Sequence, residues 1–543
     1  MIGKNVSVSL LQTITTLPEE TLSHHLAHLQ TTEFLSAASG LSAPTYTFRH
    51  ILIQETAYQS LPASTRRQYH QRIAQALADQ FPGLTETQPT LLAYHYTEAG
   101  CTEQAIAAWQ RAGQQAAERS AYVEAIAHFT QGLALLQALP DTPKRTQQEL
   151  LLQTSLGHTL MATKGFAAPE VERAYARARE LCQQMGETPQ LFAVLRGLWR
   201  FYGVRAAFQT AQALGEQLLC LAQRAQDPAL LLEAHLALGN GLFWSGEFLA
   251  ARGHLEQVSA LYDPQRHRSH AFRYGLDPRV VGLSYAAQIL WCLGYPDQAL
   301  KHNAAALSLA HELPHPHTLA HALGFAASFH QFRRETQAVS AQVEAVMALS
   351  REQEFAQWLA WGAMLRGWVL VEQGQGAEGM THMRQGLNAF DDIGAALGRP
   401  YWLALLAEAS GKVGQAEEGL HALAEALIAI QTTGERRWEA EIYRLQGQLL
   451  LALAAEHEDE AEACFQQALD VARRQQSKSL ELRTAMSLSR LWQRQGMQVE
   501  ARQLLEAVYN WFTEGFETTD LREAKALLAD LSWEIPGKPE VAL

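Results

Sequence analysis

Residues 239–258 read GNGLFWSGEFLAARGHLEQV, and their spacing decides the fold. Gly239 is followed twelve positions later by another small residue, Ala251. A large apolar anchor, Leu255, comes four further on, and Val258 three beyond that. Between the small residues lies the turn Ser245–Phe248, whose glycine breaks one helix before the next begins. The pattern describes two antiparallel helices. Small residues facing each other let the two axes approach to roughly 8–10 Å, and the anchor one turn later fills the space beside that contact.

The same spacing recurs outward in both directions. It runs through Gly113, Ala125, Phe129, Gly132 and through Ala287, Ala299, Asn303, Ala306. It returns as Gly367, Gly379, Met383, Gly386, then Ala407, Gly419, Leu423, Ala426, then Ser489, Ala501, Leu505, Val508. GYPD (294–297) and KVGQ (412–415) are turns equivalent to SGEF (245–248). The first small positions at 239, 287, 367, 407 and 489 are spaced near multiples of about forty residues. Degenerate pairs fill the gaps at 150–185, 190–226, 318–350 and 438–474. The spacing therefore predicts an all-α chain of about ten or eleven helix pairs, a right-handed α-solenoid, capped by a last helix over 520–531.

Composition agrees. A 543-residue chain is too long for one ordinary core, and Ala, Leu, Gln and Glu favour helix. The net charge of −13 repels nucleic-acid phosphates. Five widely separated cysteines form no CxxC pair, and the first twenty residues hold no continuous apolar core of a signal peptide. These features read as a reduced, cytoplasmic protein.

The first eighty residues differ. Five basic and five acidic side chains balance there, so the whole acidic excess falls in the repeats. A helix over 21–30, strands over 33–37 and 45–48 around a tip at 39–44, and helices over 51–60 and 65–79 follow a winged-helix order. The expected division is a winged-helix-like segment 1–80, a repeat solenoid 81–535 and a flexible tail 536–543.

The repeats resemble the tetratricopeptide repeat. YTFRHILIQETAYQSL, STRRQYHQRIAQAL, LLAYHYTEAG, GERRWEAEIYRLQGQLLLALA and KSLELRTAMSLSRLWQRQG resemble the C-terminal half of large bacterial signal-transduction ATPases of the STAND type. In that family a nucleotide cyclase-like domain often comes first, then a P-loop ATPase, a winged helix and tetratricopeptide repeats. This sequence has no GxxxxGK[ST] and no room for a cyclase, so the chain reads as beginning inside the winged helix. It reads as a truncated product, half of a split gene or a stand-alone paralogue. The resemblance implies a non-catalytic sensor arm that binds a protein, or a small ligand, and reports to an ATPase or cyclase domain. It also implies that His50, in FRHILIQETA, is placed to contact an ADP phosphate supplied in trans, where a helix N-terminus already favours anions.

Other motifs carry less. HELPH (311–315) matches HExxH, but Pro314 breaks the single helix face that two zinc ligands require. Gly374, Gly376 and Gly379 make a GxGxxG without the preceding strand, so they read as a turn between helices. His254, Arg266, His267, Arg268 and His270 read as a solvated basic link, and no metal or cofactor is expected. Arg66, Arg67, His70 and Arg72 form the best basic cluster, yet the presumed recognition helix over 20–30 has no Lys or Arg. A DNA-binding regulator is therefore the secondary reading, beside a subunit completing an ATPase in trans. Trp361 and Trp368, two turns apart, are the candidates for a concave binding groove.

Overall fold

The computed structural model describes residues 5–15, 17–37, 45–186 and 189–532. The tip at 39–44 and the tail at 536–543 lie outside the described residues. The chain forms two compact units, Met1–Leu156 and Gly157–Leu543.

Unit 1 begins with β1 (Asn5–Ser7), α1 (Val8–Ile14), α2 (Glu19–Thr31), β2 (Leu35–Ala37), β3 (Thr45–Phe48), α3 (Ile51–Gln59) and α4 (Ala63–Gln80). The sequence reading missed β1 and α1. The sheet is antiparallel with β3 in the centre, Tyr46 opposite both Val6 and Ala37. Leu22, Leu26 and Leu35 pack under it with Tyr46 and Phe48. Then follow α5 (Pro82–Thr87), α6 (Pro89–Ala99), α7 (Thr102–Glu118) and α8 (Tyr122–Leu136), and α9 (Pro143–Lys164) runs across the division.

Unit 2 continues with α10 (Pro169–Met185), α11 (Leu191–Val204), α12 (Phe208–Ala225), α13 (Pro228–Trp244), α14 (Phe248–Leu261), α15 (Pro264–His267) and α16 (His270–Tyr274). Next are α17 (Pro278–Cys292), α18 (Pro296–Glu312), α19 (Pro316–Phe332), α20 (Thr336–Glu352), α21 (Ala356–Glu372), α22 (Gly376–Asp392) and α23 (Arg399–Lys412). The last are α24 (Ala416–Thr433), α25 (Glu439–Leu453), α26 (Glu458–Arg474), α27 (Lys478–Arg494), α28 (Gln498–Tyr509) and α29 (Thr519–Asp530). Paired in order from α7/α8, and skipping the short α15 and α16, they give ten helix pairs among the described residues. The chain is an all-α repeat solenoid with one minimal sheet.

The twelve-residue spacing has a direct physical basis. A Cβ on Gly113 would lie 2.5 Å from the Phe129 ring, and one on Gly367 would lie 2.4 Å from Met383 Cγ and 2.6 Å from the Gly379 carbonyl. Seven residues after each small position stands a left-handed residue that ends the first helix: Gly246 at φ +82°, or Ser120 at φ +60°. Glycine adopts that conformation without a Cβ clash, which is why it occupies the site in most pairs. In α25/α26 the spacing opens to Gly447, Ala461, Phe465, because a 3-10 turn over 455–457 lengthens the link. That insertion hid the pair from the spacing rule.

The first helix of each pair is buried on both faces in the middle of unit 2, as in α17 and α19. The cause is the winding. The C-terminal carbonyls of an inner helix are met by the segment that opens the inner helix five pairs further on. Val204 O accepts from Ala396 N (3.0 Å) and Leu397 N (2.9 Å), and Trp244 O accepts from Arg436 N (2.9 Å) and Arg437 N (3.2 Å). Cys292 O accepts from Ser477 Oγ (3.2 Å), and Trp291 O from Ser479 Oγ (2.5 Å). These bonds satisfy helix-end acceptors that would otherwise face nothing. They also bring successive turns together, so the inner face becomes a core.

Candidate functional site

Trp361 and Trp368 do not line an open groove. They are 2% and 3% exposed, and rings of neighbouring helix pairs cover Trp361. Trp361 stacks on Phe325 at 5.4 Å, meets Trp402 edge-on at 4.7 Å and donates to Ser328 Oγ at 3.0 Å. The basic link is corrected too. His267 and His270 are buried, and His270 Nδ1 lies 2.9 Å from Glu233 Oε1, which also accepts through Oε2 from Arg196 Nε at 3.1 Å. Although burial opposes ionisation, Arg196 and His270 hold Glu233 below its usual range. His254 pairs with His235 at 2.9 Å. The carboxylate that draws this loop inward lies on α13, 37 residues before His270, so the loop's composition alone misleads.

The two motif-like stretches fall in turns, as expected. His311 is in the last turn of α18, whereas His315 caps α19 and accepts from Thr318 N at 3.2 Å. Gly374 ends α21 at φ +83°, and Gly379 packs against α21. Among the described residues no group of three or more His, Cys, Asp or Glu is arranged to hold a metal.

The inner face does open towards the C-terminal end. A cavity of about 350 Å³ is lined by α23, α25 and α27, with Gln331 and Arg334 below and Asp520 and Glu523 of α29 beside it. Its wall is a chain of ion pairs. Arg444 grips Glu441 with two bonds, Nε at 2.8 Å and Nη2 at 2.6 Å. Arg483 Nε reaches Asp520 at 2.8 Å and its Nη1 lies 3.6 Å from Glu441. Arg334 meets Asp520 at 3.3 Å and Glu523 at 2.9 Å, and Arg490 meets Glu523 at 3.6 Å. Burial opposes charge at Glu441 and Arg444, but each partner wins: the carboxyl is held down and the guanidinium held up. Leu405, Leu445, Leu449 and Met486 supply apolar floor between the charges. Such a surface suits an extended partner segment carrying both signs of charge and some apolar side chains.

The sequence signal for this site was present in two stretches, GERRWEAEIYRLQG and KSLELRTAMSLSRLWQRQG. There α25 and α27 carry Glu441 and Arg444, and Arg483 and Arg490, on single faces.

His50 caps α3: its Nδ1 accepts from Leu52 N at 3.3 Å, on an exposed residue. A neutral imidazole with Nδ1 accepting carries its proton on Nε2. Arg49 beside it pairs with Glu33 at 3.1 Å. His70, from the basic cluster, is buried instead. Its Nδ1 lies 2.9 Å from His95 Nδ1 and its Nε2 lies 3.0 Å from Tyr58 Oη, so three quoted stretches meet there.

The paired helices and their small-residue contacts define a tetratricopeptide-type α-solenoid. No family model matches the chain. The uncharacterized protein R02095 of Rhizobium meliloti (strain 1021) is 27% identical over 502 residues, covering 90% of this chain and 48% of its own length. The chain thus spans about half the length of this curated relative. Among solved structures, a Rap protein complexed with competence and sporulation factor superposes with a TM-score of 0.50 at 12% identity, covering 69% of this chain and 99% of that one. The APC/C hetero-tetramer Cut9–Hcn1 gives 0.48 at 13% identity, covering 89% and 86%. The likeness to the Rap protein is one of fold. Among the described residues no helix is long and apolar enough to cross a membrane.

Proposed function

We propose that this chain is a non-catalytic regulatory scaffold that binds a protein segment in the ion-pair-lined cavity of α23, α25 and α27. The observation that carries this reading is the cavity itself: it opens on an inner face that is packed core in the middle of unit 2. A Rap protein of the same fold is found complexed with competence and sporulation factor, and the inner face of a solenoid is its usual recognition surface. The resemblance to signalling ATPases supplies the output. The scaffold acts as the sensor arm of a P-loop ATPase, which members of the resembled family carry in one polypeptide and which is here supplied in trans. His50 fits that role as an exposed cap whose free Nε2–H can donate to an ADP phosphate at a helix N-terminus.

The test uses the full chain mixed with a separately supplied P-loop ATPase domain of the resembled signalling family. Hydrogen exchange should slow in α25 and α27 on mixing, and reversing Arg490 and Glu523 together should weaken association about 10-fold. His50→Ala should raise the basal ATP turnover of the mixture, because a contact made only in the closed state shifts the equilibrium by its own energy. The isolated chain should turn over no ATP, since it lacks the lysine and phosphate cradle that phosphoryl transfer needs. Protection confined to other helices would remove the cavity from the reading. Robust ATP turnover by the chain alone would overturn it.

A further inference from the structure

Beside the buried contact of His70 with His95, unit 1 opens a cleft between the end of α3, the start of α4 and the end of α6. Its volume is about 390 Å³, and Tyr58, Arg66, Arg67, Thr97 and Glu98 line it. Ala63, Arg66, Arg67 and His70 stand at i, i+3, i+4 and i+7. One face of α4 therefore carries the cleft wall and, a turn further in, the buried histidine. Neither guanidinium has an ion-pair partner among the described residues. Arg66 rests over the Tyr58 ring, with its Cζ 5.1 Å from the ring centre.

A chain of hydrogen bonds holds this wall in place. An ionised Glu98 can only accept, and its Oε2 takes the Tyr58 hydroxyl at 3.4 Å. Tyr58 Oη then accepts from His70 Nε2 at 3.0 Å, which leaves His70 Nδ1 bare. That nitrogen accepts from His95 Nδ1 at 2.9 Å. The chain ends at His95 Nε2, which is buried and meets no partner. Burial pushes His95 down to about 3 and lowers His70 as well, so both rings are neutral and the order of donors holds at neutral pH. Two buried rings thus fix the Tyr58 hydroxyl, and the Tyr58 ring seats Arg66.

The cleft carries both signs of charge. Arg66 and Arg67 supply the positive side. Pro62, which precedes α4, offers no capping side chain, so the first N–H groups of that helix add positive potential beside them. Glu98 lines the same cleft from α6, and its single long bond leaves its oxygens free to accept more. Two guanidiniums suit a phosphate, which takes bidentate bonds. A carboxylate in the same cleft repels a bare phosphate, yet it accepts sugar hydroxyls well. The ligand that satisfies both groups carries a phosphate at one end and hydroxyls at the other. The volume falls within the range of about 300–1,000 Å³ usual for small-molecule sites.

We infer that the cleft of α3, α4 and α6 binds a small sugar phosphate, its phosphate on Arg66 and Arg67 and its hydroxyls on Glu98. The ligand bridges α4 to α6, where the sheet-bearing segment meets the first repeat helices. The site lies wholly in unit 1 and needs no ATPase, so it stands apart from the inner-face cavity of unit 2 and from His50.

Ribose 5-phosphate is the probe, titrated into the full chain by calorimetry, with inorganic phosphate in parallel at equal ionic strength. The sugar phosphate should bind about 10-fold more tightly than inorganic phosphate. Arg67→Met should weaken both by about 10-fold, because a charge-assisted bond to the phosphate is lost from each. Glu98→Gln should move the two in opposite directions, weakening ribose 5-phosphate and tightening inorganic phosphate. Arg72→Met, on another face of α4 and outside the cleft, should change neither. Glu98→Gln decides the matter if Arg67→Met does not fold. No binding of ribose 5-phosphate by the unmodified chain would overturn the inference, as would inorganic phosphate binding equally well. So would affinities unchanged in Arg67→Met, or shifts of one sign for both ligands in Glu98→Gln.

Discussion

Glu435 offers a measurement of how tightly the turns of unit 2 are pressed together. It is 1% exposed, its Oε2 accepts from Gly398 N at 2.9 Å, and its Oε1 has no partner. Burial raises its carboxyl from 4.5 to about 7, against the opposing pull of Arg437 and the Gly398 N–H. A raised carboxyl keeps its proton in the folded state while the unfolded chain loses it. Its stabilising contribution is thus complete below about pH 4.5 and fades as pH climbs to about 7. A difference of that size corresponds to about 3 kcal/mol. Glu435→Gln removes this slope. The amide keeps an oxygen for Gly398 N but buries an N–H group, a pH-independent cost of about 1–3 kcal/mol.

Other groups run the opposite way. Burial lowers His158 to about 4 and His315 to about 3, so their contribution is lost as pH falls below about 6.5. The raw pH profile mixes these signs, and the difference between wild type and Glu435→Gln isolates the carboxyl. Unfolding midpoints in urea from pH 4 to pH 8 should converge or cross, the variant gaining about 3 kcal/mol on wild type over that span. Exchange of the Gly398 amide in wild type should quicken over the same range. Parallel midpoint curves would refute the reasoning and show that Glu435 is hydrated.

Five further outcomes follow from the packing. Gly367→Ala places a methyl 2.4 Å from Met383 Cγ and 2.6 Å from a backbone oxygen, and should destabilise by about 1–3 kcal/mol in denaturant unfolding. Ala251→Leu, at a fully buried position, should cost about the same; coincident midpoints would put the repeat register in error there. Asp277→Ala removes the cap bonds to Arg279 N and Val280 N, both 3.0 Å, and should cost about 1–2 kcal/mol. Trp361→Ala should cost about 3–5 kcal/mol as a core deletion. Arg490→Ala, half-exposed on the cavity rim, should stay within about 0.5 kcal/mol of wild type. A mild Trp361→Ala would return that residue to the surface.

The repeat architecture was legible because it is local. Two helices and their turn lie within twenty residues, and the close contact at Gly239 or Gly367 admits only small side chains, so the constraint is written into the spacing. Even the degenerate pairs at 190–226 and 318–350 proved to be helix pairs, α11/α12 and α19/α20. What the sequence could not convey was the winding, five pairs per turn. It depends on small rotations between neighbouring pairs, each set by diffuse packing rather than by one residue type. Yet packing between neighbouring pairs decides that Trp361 is core and that His270 meets Glu233. The winding decides that Arg437 is enclosed by rings that include Trp244, and that charge on α25 and α27 faces a cavity. The sequence determined each pair, because neighbours in the chain make it. Tertiary structure decided which face stays open, because that is fixed by segments nearly two hundred residues apart, such as Trp244 and Arg436.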